Sequence, residues 1–193
     1  MIPVAPKRAP RDFARKVRQP GLADLAARGI SLNSPAPKGF KFKACWSESQ
    51  EQLWQAYAGT CAYLAIYFDY PTGASSTDHF VPKSQHPDLA YEWSNFRLSC
   101  LGPNRRKGTQ AILDPFTLPS ETFHLVLSSG EIKPASPSNQ AAIDTIRILD
   151  LDSPGHRQMR QKHWQQYTRH KDPATLLELS PFVHFEAKRQ GLL

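Results

Sequence analysis

Four polar residues between positions 78 and 104 have the types and spacing needed for phosphodiester chemistry. Asp78 and His79 are adjacent, Asn95 follows sixteen residues after His79, and Asn104 follows nine residues after that. Carboxylate and carboxamide groups offer the hard oxygen atoms that Mg²⁺ prefers. A neutral imidazole can take a proton from water near pH 7. Together these residue types predict metal-assisted phosphodiester hydrolysis, although spacing alone leaves a purely structural role for His79 open.

Short secondary-structure elements must position these residues. We predict a strand over 76–81, a loop that ends near Asn95, a second strand over 96–100 and a helix that opens at 104–107. Neighbouring side chains on a strand point to opposite faces, so one residue of the Asp-His pair would ligate an ion while the other addresses a water molecule.

Three sequence stretches around these residues resemble the HNH endonuclease family, whose fold is the ββα-metal finger. They are Asp78-His-Phe-Val-Pro-Lys-Ser, Ala90-Tyr-Glu-Trp-Ser-Asn-Phe-Arg-Leu-Ser-Cys100 and Asn104-Arg-Arg-Lys-Gly. The resemblance covers about residues 60–109. Residues 112–116 and 142–149 are similar to the C-terminal part of bacterial HNH proteins that include nuclease subunits of Septu-type anti-phage systems. The implied fold is of the α+β class, with a ββα-metal (HNH) finger embedded in a mostly helical small domain.

The resemblance also implies a role for each motif residue. His79 matches the general base that activates the attacking water, and Asn95 matches the asparagine that braces the loop and orients the histidine. Asp78 and Asn104 match the ligands of one Mg²⁺ or Mn²⁺ ion. The implied products carry a 5′-phosphate and a 3′-hydroxyl.

The cysteines depart from the pattern of family members that bind a structural zinc through two C-x-x-C pairs. Cys61 and Cys100 keep only the first cysteine of each pair, and Leu64 occupies one of the second positions. Two thiolates cannot complete a tetrahedral zinc site. We therefore expect apolar packing and no zinc, with a site completed by His86 or His124 as the alternative. The total of three cysteines excludes a disulfide framework.

Positive charge is concentrated in the first 45 residues. The net charge of the chain is +7, and this segment alone has a surplus of eight positive charges. It also holds six prolines, which favour extended backbone. We expect a basic, Pro-rich N-terminal arm that attracts a nucleic-acid backbone, with a solvated tail as the alternative. Arg105, Arg106 and Lys107 are expected to contact phosphates beside the site, and a structural role is the alternative for Lys107.

The length of 193 residues suits one domain with three parts. We predict the arm over 1–45, the HNH core over 46–116, and a β-hairpin with a helical region over 117–193. No apolar run reaches the roughly 18 residues of a membrane span, and the first residues lack the apolar stretch of a signal peptide. The cysteine usage favours a reducing cytoplasm.

The function predicted from the sequence is that of a metal-dependent HNH endonuclease that cleaves DNA in bacterial anti-phage defence. One alternative is a catalytically silent nucleic-acid-binding or assembly subunit of a defence complex, and another is an RNA-cleaving effector. The expected partners are nucleic acid, with DNA favoured over RNA, a partner ATPase subunit and a second copy of the chain in a homodimer. No membrane partner is expected.

Overall fold

Two antiparallel strands followed by a short helix form the centre of the fold. The structure, a computed structural model, describes residues 1–193. Strand β1 (Ser75–His79) pairs with β2 (Phe96–Cys100) over the full length of both strands. Helix α3 (Leu101–Lys107) begins directly after β2 and packs against both strands. The predicted order of strand, loop, strand and helix is confirmed.

Helices dominate outside this ββα motif, so the chain has the predicted α+β architecture. A second antiparallel pair is formed by β3 (Phe123–Val126) and β4 (Glu131–Pro134). The remaining α-helices are α1 (Gln19–Ala27), α2 (Gln50–Ala56), α4 (Gln140–Leu149), α5 (Pro154–His170), α6 (Pro173–Leu179) and α7 (Pro181–Arg189). One π-helical segment precedes α1 at Ala14–Arg18, and 3₁₀ helices lie at Cys45–Ser49, Tyr70–Thr72, Pro87–Leu89 and Trp93–Asn95. None of the helices combines the length and apolar character needed to cross a membrane.

Polar caps and prolines set the limits of the C-terminal helices. Helix α4 begins after Asn139, whose side chain accepts a hydrogen bond of 3.0 Å from the Ala142 amide. The last part of the chain forms two helices, α6 and α7, instead of one continuous helix. Ser180 lies between them in a non-helical conformation, because a proline at 181 disfavours helical geometry in the residue before it.

The aromatic stretch over 61–70 forms no strand, although aromatic and β-branched residues are typical of strands. The Cys61 amide donates to the carbonyl of Ile66, and the Ala65 amide donates to the carbonyl of Cys61. The chain therefore closes on itself in a turn, and only an isolated bridge between Thr60 and Tyr67 resembles strand pairing. Burial, rather than a sheet, explains the apolar composition of this stretch, since Cys61 and Tyr63 are completely buried.

The first 45 residues pack on the rest of the protein. Phe13, Val17 and Leu25 belong to a single cluster of 30 buried apolar residues. The Trp93 indole nitrogen donates a hydrogen bond of 2.8 Å to the carbonyl of Lys7. The segment is therefore folded onto the protein and is not a free tail, whereas the role of its exposed basic side chains and the boundaries of the three parts stay predictions.

A glycine allows a close approach between the N-terminal segment and the loop between β1 and β2. Gly21 in α1 lies against the ring of Tyr91, and a Cβ atom at this position would come within 2.3 Å of that ring. The Tyr91 hydroxyl in turn donates a hydrogen bond of 2.9 Å to the carbonyl of Lys43. The loop between β1 and β2 is thus held by the beginning and by the end of the N-terminal segment.

A buried arginine ties β2 to the segment that follows α3. Arg97 lies opposite Asp78 in the strand register and donates hydrogen bonds of 2.9 and 2.7 Å to the Asp114 carboxylate. Its guanidinium also lies 3.5 Å above the centre of the Phe116 ring. The pair is bidentate and largely buried, which is the geometry in which an arginine–carboxylate contact is strong.

Candidate active site

Strand β1 ends in Asp78 and His79, the two residues whose side chains are best suited to metal binding and proton transfer. The Asp78 side chain is only 3% exposed, and its carboxylate receives hydrogen bonds from the Tyr63 hydroxyl and from Lys107 Nζ, the latter at 3.2 Å. Burial raises the pKa of Asp78, whereas the Lys107 ammonium and the Tyr63 hydroxyl act in the opposite direction. Burial also holds the pKa of Tyr63 well above its usual value, so its phenol remains a proton donor.

The His79 ring is fixed in one orientation. Its Nε2 atom lies 2.8 Å from the carbonyl oxygen of Ala90, and a carbonyl only accepts hydrogen bonds, so Nε2 carries the proton. The Nδ1 atom is then the unprotonated nitrogen. The rings of Trp46 and Phe96 contact the imidazole edge-on, with centroid distances of 4.7 and 5.1 Å. Burial, with a further contribution from the Lys83 ammonium, lowers the pKa of His79 to about 3, so the ring is neutral near pH 7.

Asn95 braces the loop that supplies the partner of His79. Its Oδ1 atom accepts a hydrogen bond of 2.8 Å from the Val81 amide. Its Nδ2 atom donates to the carbonyls of Val81 and Leu89, at 3.0 and 3.1 Å. Asn95 therefore connects the end of β1 to the residue before Ala90.

Asn104 lies on α3 and its side chain contacts β1. Its Nδ2 atom donates a hydrogen bond of 2.5 Å to the Ser76 hydroxyl. The Oδ1 carbonyl oxygen has no hydrogen-bond partner in the protein. This leaves the atom that would ligate a hard metal ion available.

One cavity of about 400 Å³ brings three of the predicted residues together. Asp78, His79 and Asn104 all line it. Asn95 does not, since it is 4% exposed and lies behind the loop. The structure thus groups the predicted base and the predicted ligands around one space, with the bracing residue outside it.

The basic residues of α3 do not behave as a group. Lys107 is completely buried, and its Nζ atom contacts Asp78 and the His79 carbonyl, the latter at 3.0 Å. The prediction that Lys107 contacts a phosphate is wrong, because its ammonium has no access to solvent and the Asp78 carboxylate compensates its charge. Arg106 is exposed and forms an ion pair of 2.9 Å with Asp150, whereas Arg105 is exposed without such a partner.

Several residues that line the cavity were not assigned to the site from the sequence, and three of them bring a cation or an aromatic ring to it. Lys83 lies four residues beyond β1, and Phe40 and Phe42 come from the N-terminal segment. Lys83 was within the quoted motif, so its position beside Asp78-His79 was the available signal. The two phenylalanines carried no such signal, because only the folding of the N-terminal segment places them near the site.

The donor set suits a metal ion that keeps ligands from outside the protein. No group of three or more His, Cys, Asp or Glu side chains in the structure could hold a metal. Asp78 and Asn104 offer hard oxygen atoms at the same cavity, and Mg²⁺ typically retains several waters and binds substrate phosphate through one or two protein carboxylates. The residues present therefore fit Mg²⁺ or Mn²⁺ better than a metal that requires four protein ligands.

The two cysteines of the degenerate zinc pattern lie side by side. Cys61 Sγ accepts hydrogen bonds from the amides of Leu64 and Cys100, at 3.5 and 3.3 Å. Both cysteines are free thiols, and Leu64 is packed in the core. The expectation that no zinc binds here stays a prediction.

Fold and site together define a small α+β protein whose ββα motif opens onto a polar cavity. No family model matches the chain. The chain is similar to the Septu protein PtuB of Bacillus thuringiensis, with 26% identity over 97 residues. The aligned region covers 48% of this chain and 37% of PtuB, so the chain spans well under half the length of that relative.

Proposed function

We propose that this protein is an HNH-type, metal-dependent endonuclease that hydrolyses phosphodiester bonds of DNA in anti-phage defence. The observation that carries the proposal is the state of His79: its Nε2–H is bound to Ala90, which leaves Nδ1 as a neutral base at a cavity shared with Asp78 and Asn104. The similarity to the Septu protein PtuB supports the defence role.

In this mechanism the protein orients a water molecule and takes its proton. His79 Nδ1 accepts a proton as the water oxygen bonds to phosphorus and the P–O3′ bond breaks. The 3′-oxygen leaves with a proton from solvent, which gives 5′-phosphate and 3′-hydroxyl ends. Asp78 and Asn104 would hold one Mg²⁺ or Mn²⁺, which when bound supplies positive charge that stabilises the leaving oxygen.

A second candidate function is a nucleic-acid-binding or assembly subunit without cleavage activity. The buried contacts of Asp78 favour it, because Tyr63 and Lys107 already satisfy the carboxylate and Lys107 compensates its charge. An ion would have to share this carboxylate with an ammonium. A third candidate, an RNA-cleaving effector, would use the same residues as the proposed DNA endonuclease and would differ from it only in substrate.

The decisive experiment is cleavage of supercoiled plasmid with Mg²⁺, with Mn²⁺ or with EDTA. We expect nicking that requires the metal and falls by at least about 100-fold in His79→Ala and His79→Gln, because general-base catalysis contributes about 10²–10⁴ in rate. His86→Ala is the matched control, since this histidine lies on the same loop, is largely exposed and is outside the cavity.

The result separates the candidates. Metal-dependent nicking that is lost in both His79 variants supports the nuclease, and wild-type turnover by those variants removes His79 as the base. DNA binding without cleavage under any condition favours the silent subunit. If the protein cleaves RNA but not DNA, the nuclease proposal stands and its substrate is RNA. The partner ATPase and the homodimer remain predictions, and activity that appears only on adding such a partner would support them.

A further inference from the structure

Lys83 is a half-buried cation at the candidate active site that forms no ion pair within the protein. It lines the cavity together with Asp78 and His79. Lys107 pairs with Asp78, whereas the Lys83 ammonium forms neither an ion pair nor a hydrogen bond with the protein. It makes a cation–π contact with the Trp46 ring, whose centre lies 4.9 Å from Nζ.

This environment is unfavourable for the ammonium by itself. Removing a charge from water without pairing it costs free energy, and a cation–aromatic contact of this kind returns only about 0.5–2 kcal/mol. Burial accordingly lowers the pKa of Lys83, with a smaller opposing effect from the Asp78 carboxylate. An anion in the cavity would supply the missing compensation.

The surroundings indicate which anion this would be. The Trp46 indole that contacts Lys83 also contacts the His79 ring, with centroids 4.7 Å apart. An anion held by Lys83 therefore lies near the predicted base and near the oxygen atoms of Asp78 and Asn104. A lysine ammonium is a compact point charge that commonly binds phosphate.

We propose that Lys83 binds a non-bridging oxygen of the phosphate group that is cleaved at this site. The proposal rests on the proposed nuclease function and adds a substrate-contacting residue to it. Such a contact becomes stronger as negative charge develops on the phosphate, so Lys83 contributes to the rate as well as to binding.

Cleavage by three variants tests the contribution to the rate. Lys83→Met removes the charge with little change in length, Lys83→Arg keeps the charge, and Lys171→Met is the matched control. Lys171 is exposed, has no ion pair and lies 5.5 Å from the Tyr167 ring centre, away from the cavity. At saturating plasmid we expect the rate of Lys83→Met to fall about 10- to 100-fold, as for loss of a charged hydrogen bond. Lys83→Arg should lose less than about fivefold, and Lys171→Met should match wild type.

Binding in EDTA tests the same contact without requiring cleavage. Affinity for a short fluorescein-labelled DNA duplex is measured over a range of salt concentrations. We expect Lys83→Met to weaken binding and to reduce the slope of log Kd against log salt by about 0.9, which corresponds to one lost phosphate contact. If the wild type binds in this way but never cleaves, the nuclease proposal fails while the Lys83 contact stands.

Amine labelling of the wild-type protein covers the case in which Lys83→Met does not fold. The protein is acylated with and without the DNA duplex, and each lysine is quantified by mass spectrometry. We expect DNA to protect Lys83 and to leave Lys171 unchanged. Equal labelling of Lys83 in both samples, or wild-type cleavage and salt slope in Lys83→Met, would overturn the proposal and make Lys83 a structural partner of Trp46.

Discussion

Lys107 Nζ lies 3.2 Å from Asp78 Oδ1, and the two side chains are 1% and 3% exposed. The same ammonium donates to the carbonyl of His79, so one lysine of α3 binds both neighbouring residues of β1. This contact joins the helix to the strand at the point where the candidate site is built. Asp78 therefore has a structural partner in addition to any role as a metal ligand.

Removing the lysine from this pair is expected to destabilise the fold strongly. Lys107→Met leaves the Asp78 carboxylate buried without its counter-ion, at a cost of about 3–5 kcal/mol in the free energy of unfolding. Urea denaturation followed by circular dichroism measures the loss. Lys133→Met is the control, because Lys133 forms an exposed ion pair of 3.1 Å with Glu131 and should contribute less than about 1 kcal/mol.

A double variant tests whether the loss comes from the unpaired charge. Asp78→Asn removes the carboxylate charge, so the combination of Asp78→Asn with Lys107→Met should be more stable than Lys107→Met alone by at least about 1 kcal/mol. Strictly additive effects of the two substitutions would contradict this interpretation of the contact.

The neutral state of His79 predicts a loss of stability in acid. The folded protein holds the pKa of His79 at about 3, whereas the ordinary value is 6.5. Between these values the unfolded chain binds a proton that the folded protein does not, so the free energy of unfolding falls as the pH falls from about 6 to about 4. The expected slope from this group is about 1 kcal/mol per pH unit.

Comparison of wild type with His79→Gln isolates this contribution. The contribution of Asp78 to the pH dependence has the opposite sign, because its raised pKa favours the folded state as the pH falls. The other charges that act on the pKa of His79 are the Lys83 and Lys107 ammonium groups, which are present in both proteins. Urea denaturation at several pH values should give a smaller decline in acid for His79→Gln. Parallel stability curves would show that His79 titrates normally in the folded protein.

Loss of the Asn95 side chain is expected to loosen the loop between β1 and β2. Asn95→Ala removes three hydrogen bonds to Val81 and Leu89, which together contribute about 2–3 kcal/mol. The Val81 amide should then exchange its hydrogen faster, and cleavage should fall because Ala90 no longer holds His79 in place. Asn139→Ala, which removes one half-buried helix cap far from the loop, should lose about 1 kcal/mol without any change in that amide. Unchanged exchange at Val81 in Asn95→Ala would contradict the bracing role.

Neutralising the free cations of the N-terminal segment should weaken binding to DNA. Arg8, Arg11 and Arg15 are exposed and form no ion pairs, unlike Arg18, which lies 2.5 Å from Glu92. Changing these three arginines to glutamine should lower the slope of log Kd against log salt by about 0.9 for each phosphate contact that is lost. The control is the triple change of Lys162, Arg169 and Lys171 to glutamine, which removes the same charge from exposed positions in α5 and just beyond it. Equal slopes for the two triple variants would make the segment a structural or partner-binding element.

Much of the central motif was predictable because its signals are local. The strand over 96–100 has the predicted limits, and the strand that carries Asp78 and His79 begins one residue earlier and ends two residues earlier than predicted. The stretch over 61–70 was not predictable in the same way. A short apolar run indicates burial, and burial in a strand and burial in a turn have the same composition.

The sequence by itself determined the order of the ββα motif, the residue types available at its end and the concentration of positive charge in the first 45 residues. Only the tertiary structure decided which groups surround each charged side chain. It buried Lys107 against a carboxylate 29 residues away, left Lys83 in the cavity without an anion, and brought Phe40 and Phe42 to the site from the N-terminal segment. The reason is that backbone propensity and side-chain chemistry are local, whereas desolvation and charge pairing depend on neighbours that only the folded chain brings together.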